Sequence, residues 1–254
     1  GAQVSGLKPG DIVFTYMPHQ TEVVIREQEA YLLPESVSPE DGCFIALLGV
    51  AYNAILDARI VLGETVAIMG MGVIGQLLVQ LCRLAGAGQV IAIDLLESRL
   101  AQARARGADV TIDASQGGDV ALQVRQMTAN RGADVVIECT GSPKGLNESI
   151  RVAGFNGAVV CVSFLAGEAR GLMLGDEFHH NRIRVISSQA AGVNPELHPR
   201  WNSERKLRAA IAALPRLDLS GLITQRFPFD RAAEAYRLVD EHPEETVQVI
   251  LTYP

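Results

Sequence analysis

The sequence predicts an α/β fold with a doubly wound, parallel sheet of about six strands. Short runs of β-branched residues alternate with helical stretches of about 10 to 15 residues. The strand runs are apolar on both faces, which is typical of strands covered by helices on each side. Because crossovers between parallel strands are right-handed, such an alternation winds helices onto both faces of one sheet.

The alternation runs through the middle of the chain. Strands are predicted at 66–69, 90–93, 110–112, 135–137, 159–162 and 183–186, and helices at 72–85, 97–106, 120–129 and 145–153. Further helices are predicted at 39–58, 206–214 and 231–239, the last with Asp230 as its N-cap, and a final strand at 247–251.

The first forty residues predict only short strands, at 12–14 and 21–25. Two such strands cannot bury a core, so they must pack on other segments. The expected organisation is a small, mostly β part at 1–38, a large α/β domain at 39–215, and a return to the small part at 216–254.

Composition excludes several classes of function. The 254-residue chain carries a net charge of -7, which disfavours nucleic-acid binding. No apolar run reaches about 18 residues and no signal pattern opens the chain, so no membrane partner is expected. Cys43, Cys82, Cys139 and Cys161 lie too far apart for zinc spacing, and a reducing cytoplasm is predicted.

A glycine pattern, G-x-G-x-x-G, follows the first sheet strand directly and opens a helix. In this setting Gly70 permits a tight turn, Gly72 lets a pyrophosphate approach the backbone, and Gly75 lets the helix pack on the strand. Val73 and Ile74 then present backbone N–H groups to the phosphates. The pattern predicts a Rossmann-type dinucleotide site; an ordinary glycine turn is the alternative.

Asp94 ends the second sheet strand, nineteen positions after Gly75. A carboxylate there accepts hydrogen bonds from the adenosine ribose and repels a 2′-phosphate, so NAD is favoured over NADP. Arg99 lies nearby and would soften that preference. The alternatives are a helix-capping role for Asp94 and a solvated helix position for Arg99.

Ligands of doubly wound sheets lie beyond the carboxyl ends of the strands. Five residues at the ends of the fourth and fifth sheet strands are therefore expected to flank the ribose and nicotinamide: Cys139, Thr140, Gly141, Ser163 and Phe164. Simple strand-to-loop turns are the alternative interpretation.

Four segments together resemble the medium-chain dehydrogenase/reductase superfamily, the zinc-type alcohol dehydrogenase-like proteins. They are 6–13, 63–75, 132–141 and 227–239, the last containing Ala-Ala-Glu-Ala-Tyr. The resemblance implies that 39–215 is the NAD-binding Rossmann domain. It also implies that 1–38 and 216–254 are parts of a GroES-like catalytic domain.

Two departures from the family pattern concern zinc. Family members usually begin earlier, with a cysteine and a Gly-His-Glu motif, so this chain is expected to be a short gene product or a fragment. A further ligand usually lies where this chain has Ala46 and Leu47, and Cys43 is three positions too early. The four-cysteine loop is also absent from the sequence, so the chain resembles the zinc-independent branch, with no metal site.

Without zinc, another group must stabilise the developing oxyanion. Tyr52 and Asn53 are the candidates, with packing roles as the alternative for each. His179 and His180 are adjacent and point in different directions, so a surface role is expected rather than metal binding. Trp201 lies in a predicted loop, where it either packs or lines a pocket.

The leading hypothesis is a zinc-independent, NAD(H)-dependent oxidoreductase that transfers hydride between nicotinamide and an alcohol or carbonyl substrate. An NADPH-dependent quinone or enoyl reductase and a non-catalytic dinucleotide-binding module are the alternatives. A small-molecule substrate and a homodimer are expected.

Overall fold

The computed structural model describes residues 4–253. Within them the strands are β1 (Val13–Phe14), β2 (Tyr31–Leu32), β3 (Thr65–Met69), β4 (Gln89–Asp94), β5 (Val110–Asp113), β6 (Ala133–Glu138), β7 (Ala153–Cys161), β8 (Arg184–Ser187), β9 (Ile223–Pro228) and β10 (Gln248–Thr252). The α-helices are α1 (Pro39–Gly42), α2 (Ile45–Ala58), α3 (Val73–Ala85), α4 (Glu97–Ala105), α5 (Val120–Met127), α6 (Pro143–Val152), α7 (Glu177–His180), α8 (Ser203–Ala213) and α9 (Ala232–Glu241).

The chain divides into two compact units, one of Gly1–Leu48 with Leu207–Pro254 and one of Gly49–Lys206. Both divisions fall inside helices, α2 and α8, whereas the sequence analysis placed them at 38/39 and 215/216. Helical periodicity runs through these points, so nothing in the local sequence marks the change.

The 49–206 unit contains a six-stranded sheet in the order β5-β4-β3-β6-β7-β8. Every neighbouring pair is parallel, with Val66 of β3 opposite Val90 on one side and Val135 on the other. The chain order reverses between β3 and β6, which makes their carboxyl ends the switch point where ligands of such sheets bind. The predicted fold class is confirmed.

The sheet is buried because its central strands are apolar on both faces. All five residues of β3 are buried, as are the four central residues of β4. Helix α3 packs Leu77, Leu78 and Leu81 inward and ends at Gly86, whose φ of 99° suits the left-handed conformation of a C-cap. This packing fixes the start of α3 relative to β3.

The other unit has little sheet. Strands β1 and β2 pair antiparallel, and β9 pairs with β10 in parallel. Helix α1 begins after Ser38, whose hydroxyl accepts a hydrogen bond from the Asp41 N–H at 3.1 Å. Within residues 4–253, no helix has the length and apolar character that crossing a membrane requires.

Two local predictions were wrong, and one strand was not predicted. Residues 21–25 form no strand; Val24 is 99% exposed there, so its β-branched side chain packs on nothing. Strand β9 was missed because three of its first four residues, Ile-Thr-Gln-Arg, are polar. Asp230 lies within a 3-10 turn, and the N-cap of α9 is Arg231.

Candidate functional site

The glycine loop connects β3 to α3 at the switch point. Gly70 has a φ of 94°, and a Cβ there would lie 3.0 Å from the carbonyl oxygen of Cys139. A Cβ on Gly75 would lie 2.0 Å from the carbonyl oxygen of Gly70, which no side chain could tolerate. Both glycines are therefore required by the packing of the loop itself, as the sequence predicts.

Gly72 differs, because a Cβ there would meet nothing within 4 Å. It is the N-cap of the 13-residue α3 and provides no side-chain cap. The N–H groups at the start of a helix have no partner within that helix, and they carry a partial positive charge. An open space in front of uncapped N–H groups, including those of Val73 and Ile74, fits a pyrophosphate.

Asp94 lies beside this loop at the end of β4. One carboxylate oxygen accepts the Met71 N–H at 2.5 Å, and the other accepts the N–H groups of Leu95 and Leu96 at 2.7 and 2.9 Å. The carboxylate thus ties the glycine loop to the start of α4. Asp94 precedes the N-cap of α4, which is Leu96 without a side-chain cap. The oxygen that accepts the Met71 N–H keeps one lone pair for a further donor.

Gln76 was missed by the sequence analysis. It is fully buried in α3, and its amide N–H₂ donates to the carbonyl oxygens of Met71 at 3.1 Å and Arg99 at 2.8 Å. This amide therefore holds the glycine loop and α4 together. A polar residue on the apolar face of α3 was the signal that could have found it. Arg99 takes part in this contact through its backbone carbonyl oxygen, which accepts the bond from Gln76.

The ends of β6 and β7 meet at the same edge of the sheet. Buried Glu138 accepts hydrogen bonds from the N–H and hydroxyl of Thr140, both at 2.6 Å. The Ser163 hydroxyl accepts the Gly141 N–H at 2.8 Å. These bonds fix the turn after β6, so the predicted residues at 139–141 and 163 lie together. Phe164 is 89% exposed.

Two thiols lie near Glu138. Burial, with the Glu138 carboxylate, raises the pKa of the Cys161 thiol to about 11 and that of Cys139 well above its usual value. Burial also raises the pKa of Cys82. These three cysteines are therefore thiols at neutral pH, which suits the predicted packing role.

Asn53 is corrected as a candidate catalytic residue. Its side chain is 1% exposed, and its N–H₂ group donates to Asp57 at 2.9 Å and to Ser188 at 3.1 Å. Its amide oxygen accepts from the Lys206 ammonium at 3.2 Å. With both ends of the amide engaged in a buried cluster, Asn53 has a packing role, which was the alternative.

Tyr52 is half-buried on the adjacent position of α2. Its ring lies 6.0 Å from that of Trp201, at an interplanar angle of 44°. The Arg205 guanidinium covers the Trp201 ring at 4.3 Å. His179 and His180 are exposed in α7, as predicted.

Among the described residues, metal-ligating side chains come together at one exposed place. Between residues 4 and 253, the one group of three metal-ligating side chains with adjacent ligand atoms is His242, Glu244 and Glu245. All three are exposed, and the His242 ring nitrogen lies 3.5 Å from the Glu244 carboxylate. Exposed acidic groups of this kind are common without a metal, so this cluster does not indicate a zinc site.

Known proteins are similar to this chain in sequence. The family described as zinc-binding dehydrogenase matches residues 73–202. The chain is 31% identical over 260 residues to the D-guloside 3-dehydrogenase of Escherichia coli, covering 100% of this chain and 74% of that protein. It is 31% identical over 208 residues to the sorbitol dehydrogenase of Rattus norvegicus, covering 81% of this chain and 55% of that one.

A solved structure shares the fold. A zinc-binding dehydrogenase of Sinorhizobium meliloti, bound to NADP, has a TM-score of 0.75 and 30% identity, covering 90% of this chain and 64% of its own. An open parallel sheet with a glycine loop at its switch point defines a Rossmann-type protein. The chain belongs to the zinc-binding dehydrogenase family, which confirms the medium-chain superfamily assignment.

Proposed function

We propose that this chain is an NAD(H)-dependent oxidoreductase that transfers hydride between nicotinamide and the alcohol or carbonyl carbon of a polyol or glycoside. The glycine loop carries the proposal. The open space around Gly72, at the uncapped N-terminus of α3, is suited to a pyrophosphate. The guloside and sorbitol dehydrogenases among the relatives support the substrate class.

The residues of the site would divide the work by position. The loop at 70–75 would bind the diphosphate, and Asp94 would accept a hydrogen bond from the adenosine ribose. The turn at 139–141 with Ser163 would orient the second ribose. Bound nicotinamide would accept or supply the hydride. Tyr52, the remaining candidate proton donor, would act on the substrate oxygen.

Cofactor choice is part of the proposal. A carboxylate at Asp94 favours NADH, because it would repel the 2′-phosphate of NADPH. The Sinorhizobium relative was solved with NADP, which keeps the NADPH-dependent reductase as the second candidate. Zinc independence is proposed from the absence of zinc spacing in the sequence. The homodimer and cytoplasmic location stay predictions.

Isothermal titration calorimetry of the protein with NADH, NADPH and ADP-ribose tests the proposal. We expect NADH to bind more tightly than NADPH, and ADP-ribose to retain part of the NADH affinity. Polyol oxidation, followed by NADH absorbance with and without a zinc chelator, then separates an enzyme from a non-catalytic binding module. Absence of binding by either dinucleotide at millimolar concentration would overturn the proposal.

A further inference from the structure

Lys206 is a buried cation at the start of α8. Its residue is 5% exposed, and its ammonium donates to three oxygens: the amide oxygen of Asn53 and the carbonyl oxygens of Ala190 and Gly192. An ammonium has three N–H donors, so these bonds use all of them. Two of the three acceptors belong to one short backbone segment.

The charge of Lys206 is balanced inside the same cluster. Buried Asp57 accepts from the Asn53 amide at 2.9 Å, and its attraction opposes the lowering of the Lys206 pKa by burial. The Ser188 hydroxyl accepts a second bond from that amide at 3.1 Å. A buried ion is costly unless its partners are well placed. The geometry therefore couples the Lys206 charge to the backbone at 188–192.

That backbone segment, residues 188–192, directly follows β8. The Ser188 N–H donates to the Cys161 carbonyl at 2.9 Å, and the Val162 N–H donates to Glu138 at 3.0 Å, so the ends of β6, β7 and β8 are joined in sequence. In a doubly wound sheet the two halves each bind one nucleotide of the cofactor. The adenosine part of the cofactor is proposed to bind beside β3 and β4. The nicotinamide part would therefore bind at the carboxyl ends of β6, β7 and β8.

We propose that Lys206 is a positioning residue for nicotinamide: it holds the backbone at 188–192 as one wall of the nicotinamide subsite. The proposal rests on the proposed binding of a dinucleotide. Lys206 itself does not touch the cofactor, because its three donors are already used by Asn53, Ala190 and Gly192.

Comparison of two ligands tests it. ADP-ribose contains the adenosine, both phosphates and the second ribose, but no nicotinamide. In Lys206→Met, which keeps the chain length without the charge, we expect the Kd of NADH to rise at least about tenfold while the Kd of ADP-ribose changes less than about twofold. Lys8→Met, at an exposed turn, is the matched control and should change neither.

Amide hydrogen exchange on the wild-type protein needs no variant. NADH should protect the 188–192 amides more than ADP-ribose does, at equal occupancy. The positioning role would be overturned if Lys206→Met weakened the affinities for NADH and ADP-ribose equally, or if both ligands protected the 188–192 amides equally. Neither result would contradict dinucleotide binding by the wild-type protein. Absence of NADH binding to the wild type would instead overturn the proposed function.

Discussion

The three glycines of the glycine loop are required for different physical reasons. Gly70 and Gly75 are needed because backbone atoms lie where a Cβ would be, whereas Gly72 faces open space. Packing therefore explains two of the glycines, and the proposed pyrophosphate would account for the third. The sequence pattern predicts all three alike, so the structure is what separates them.

Gly72→Ala should raise the Kd of NADH at least about tenfold without changing Tm, because the new methyl group occupies the space proposed for the pyrophosphate. Gly75→Ala should instead destabilise the fold by about 1–3 kcal/mol, since its Cβ meets the Gly70 carbonyl. Gly175→Ala, at another open position, is the control. Calorimetry and thermal unfolding measure both effects; unchanged NADH affinity in Gly72→Ala would contradict the site.

Asp94→Asn keeps an oxygen that can accept a backbone N–H and removes the negative charge. We expect the preference for NADH over NADPH to fall at least about tenfold, because repulsion of the 2′-phosphate is lost. Asp113→Asn is the matched control. Asp113 of β5 lies in register beside Asp94 of β4, and its carboxylate caps the 3-10 turn that follows it. An unchanged ratio of the two Kd values would show that Asp94 only ties the loop.

Polar residues set the limit of residue-scale prediction. The glycines and Asp94 could be found because the pattern and its spacing are local. The partners of Glu138 and Gln76 depend on chain folding, and Lys206 lies 153 positions from the Asn53 oxygen that it binds. Asn53 was misread for the same reason, since its partners on 188 and 206 are distant in sequence.

At the scale of elements, α5 and α6 are joined through a charge cluster. Asp119 is the N-cap of α5 and accepts the Leu122 N–H at 2.9 Å. The Arg151 guanidinium of α6 binds Asp119 and also Glu148 and Glu177, at 3.0 and 3.4 Å. One arginine thus connects α5, α6 and α7 on the face of the sheet.

Asp119→Ala should lower the free energy of unfolding by about 1 kcal/mol at neutral pH, the usual value of an N-cap. The Leu122 N–H, then Arg151, lower the pKa of Asp119, so its stabilisation is present above the unfolded pKa of about 4 and is lost as pH falls through the lower folded pKa.

Urea unfolding at neutral and acid pH measures this difference. We expect the gap between wild type and Asp119→Ala to narrow below about pH 4. Asp176→Ala is the control, because Asp176 precedes α7 without making a side-chain cap. If the difference in free energy of unfolding stayed constant down to acid pH, the charge of the Asp119 carboxylate would not be the source of the stabilisation.

Element prediction succeeded where burial is continuous. The sheet strands could be predicted because β-branched runs in a doubly covered sheet have no polar side. Residues 21–25 have the same side-chain types without burial, and β9 is a strand with polar residues. In both cases neighbours distant in sequence decide the outcome.

At the scale of the whole molecule, β8 is an edge strand of the sheet that residues 49–206 form. Val185 is 42% exposed on it, and exposed edges recruit further strands. We predict that the protein dimerises along β8 and that Val185→Lys lowers the measured mass to that of the monomer. Light scattering checks this, with Val185→Thr as a control that keeps strand propensity; a monomeric wild type would contradict it.

The position of Trp201 has a practical consequence. It is the single tryptophan of the chain, and it lies beside Tyr52 and Arg205 in the unit that carries the glycine loop. Indole emission overlaps the absorption of reduced nicotinamide, whereas the oxidised ring and ADP-ribose absorb elsewhere. The intrinsic fluorescence of the protein is therefore a label-free signal that should be quenched by reduced dinucleotide and can report its arrival in real time.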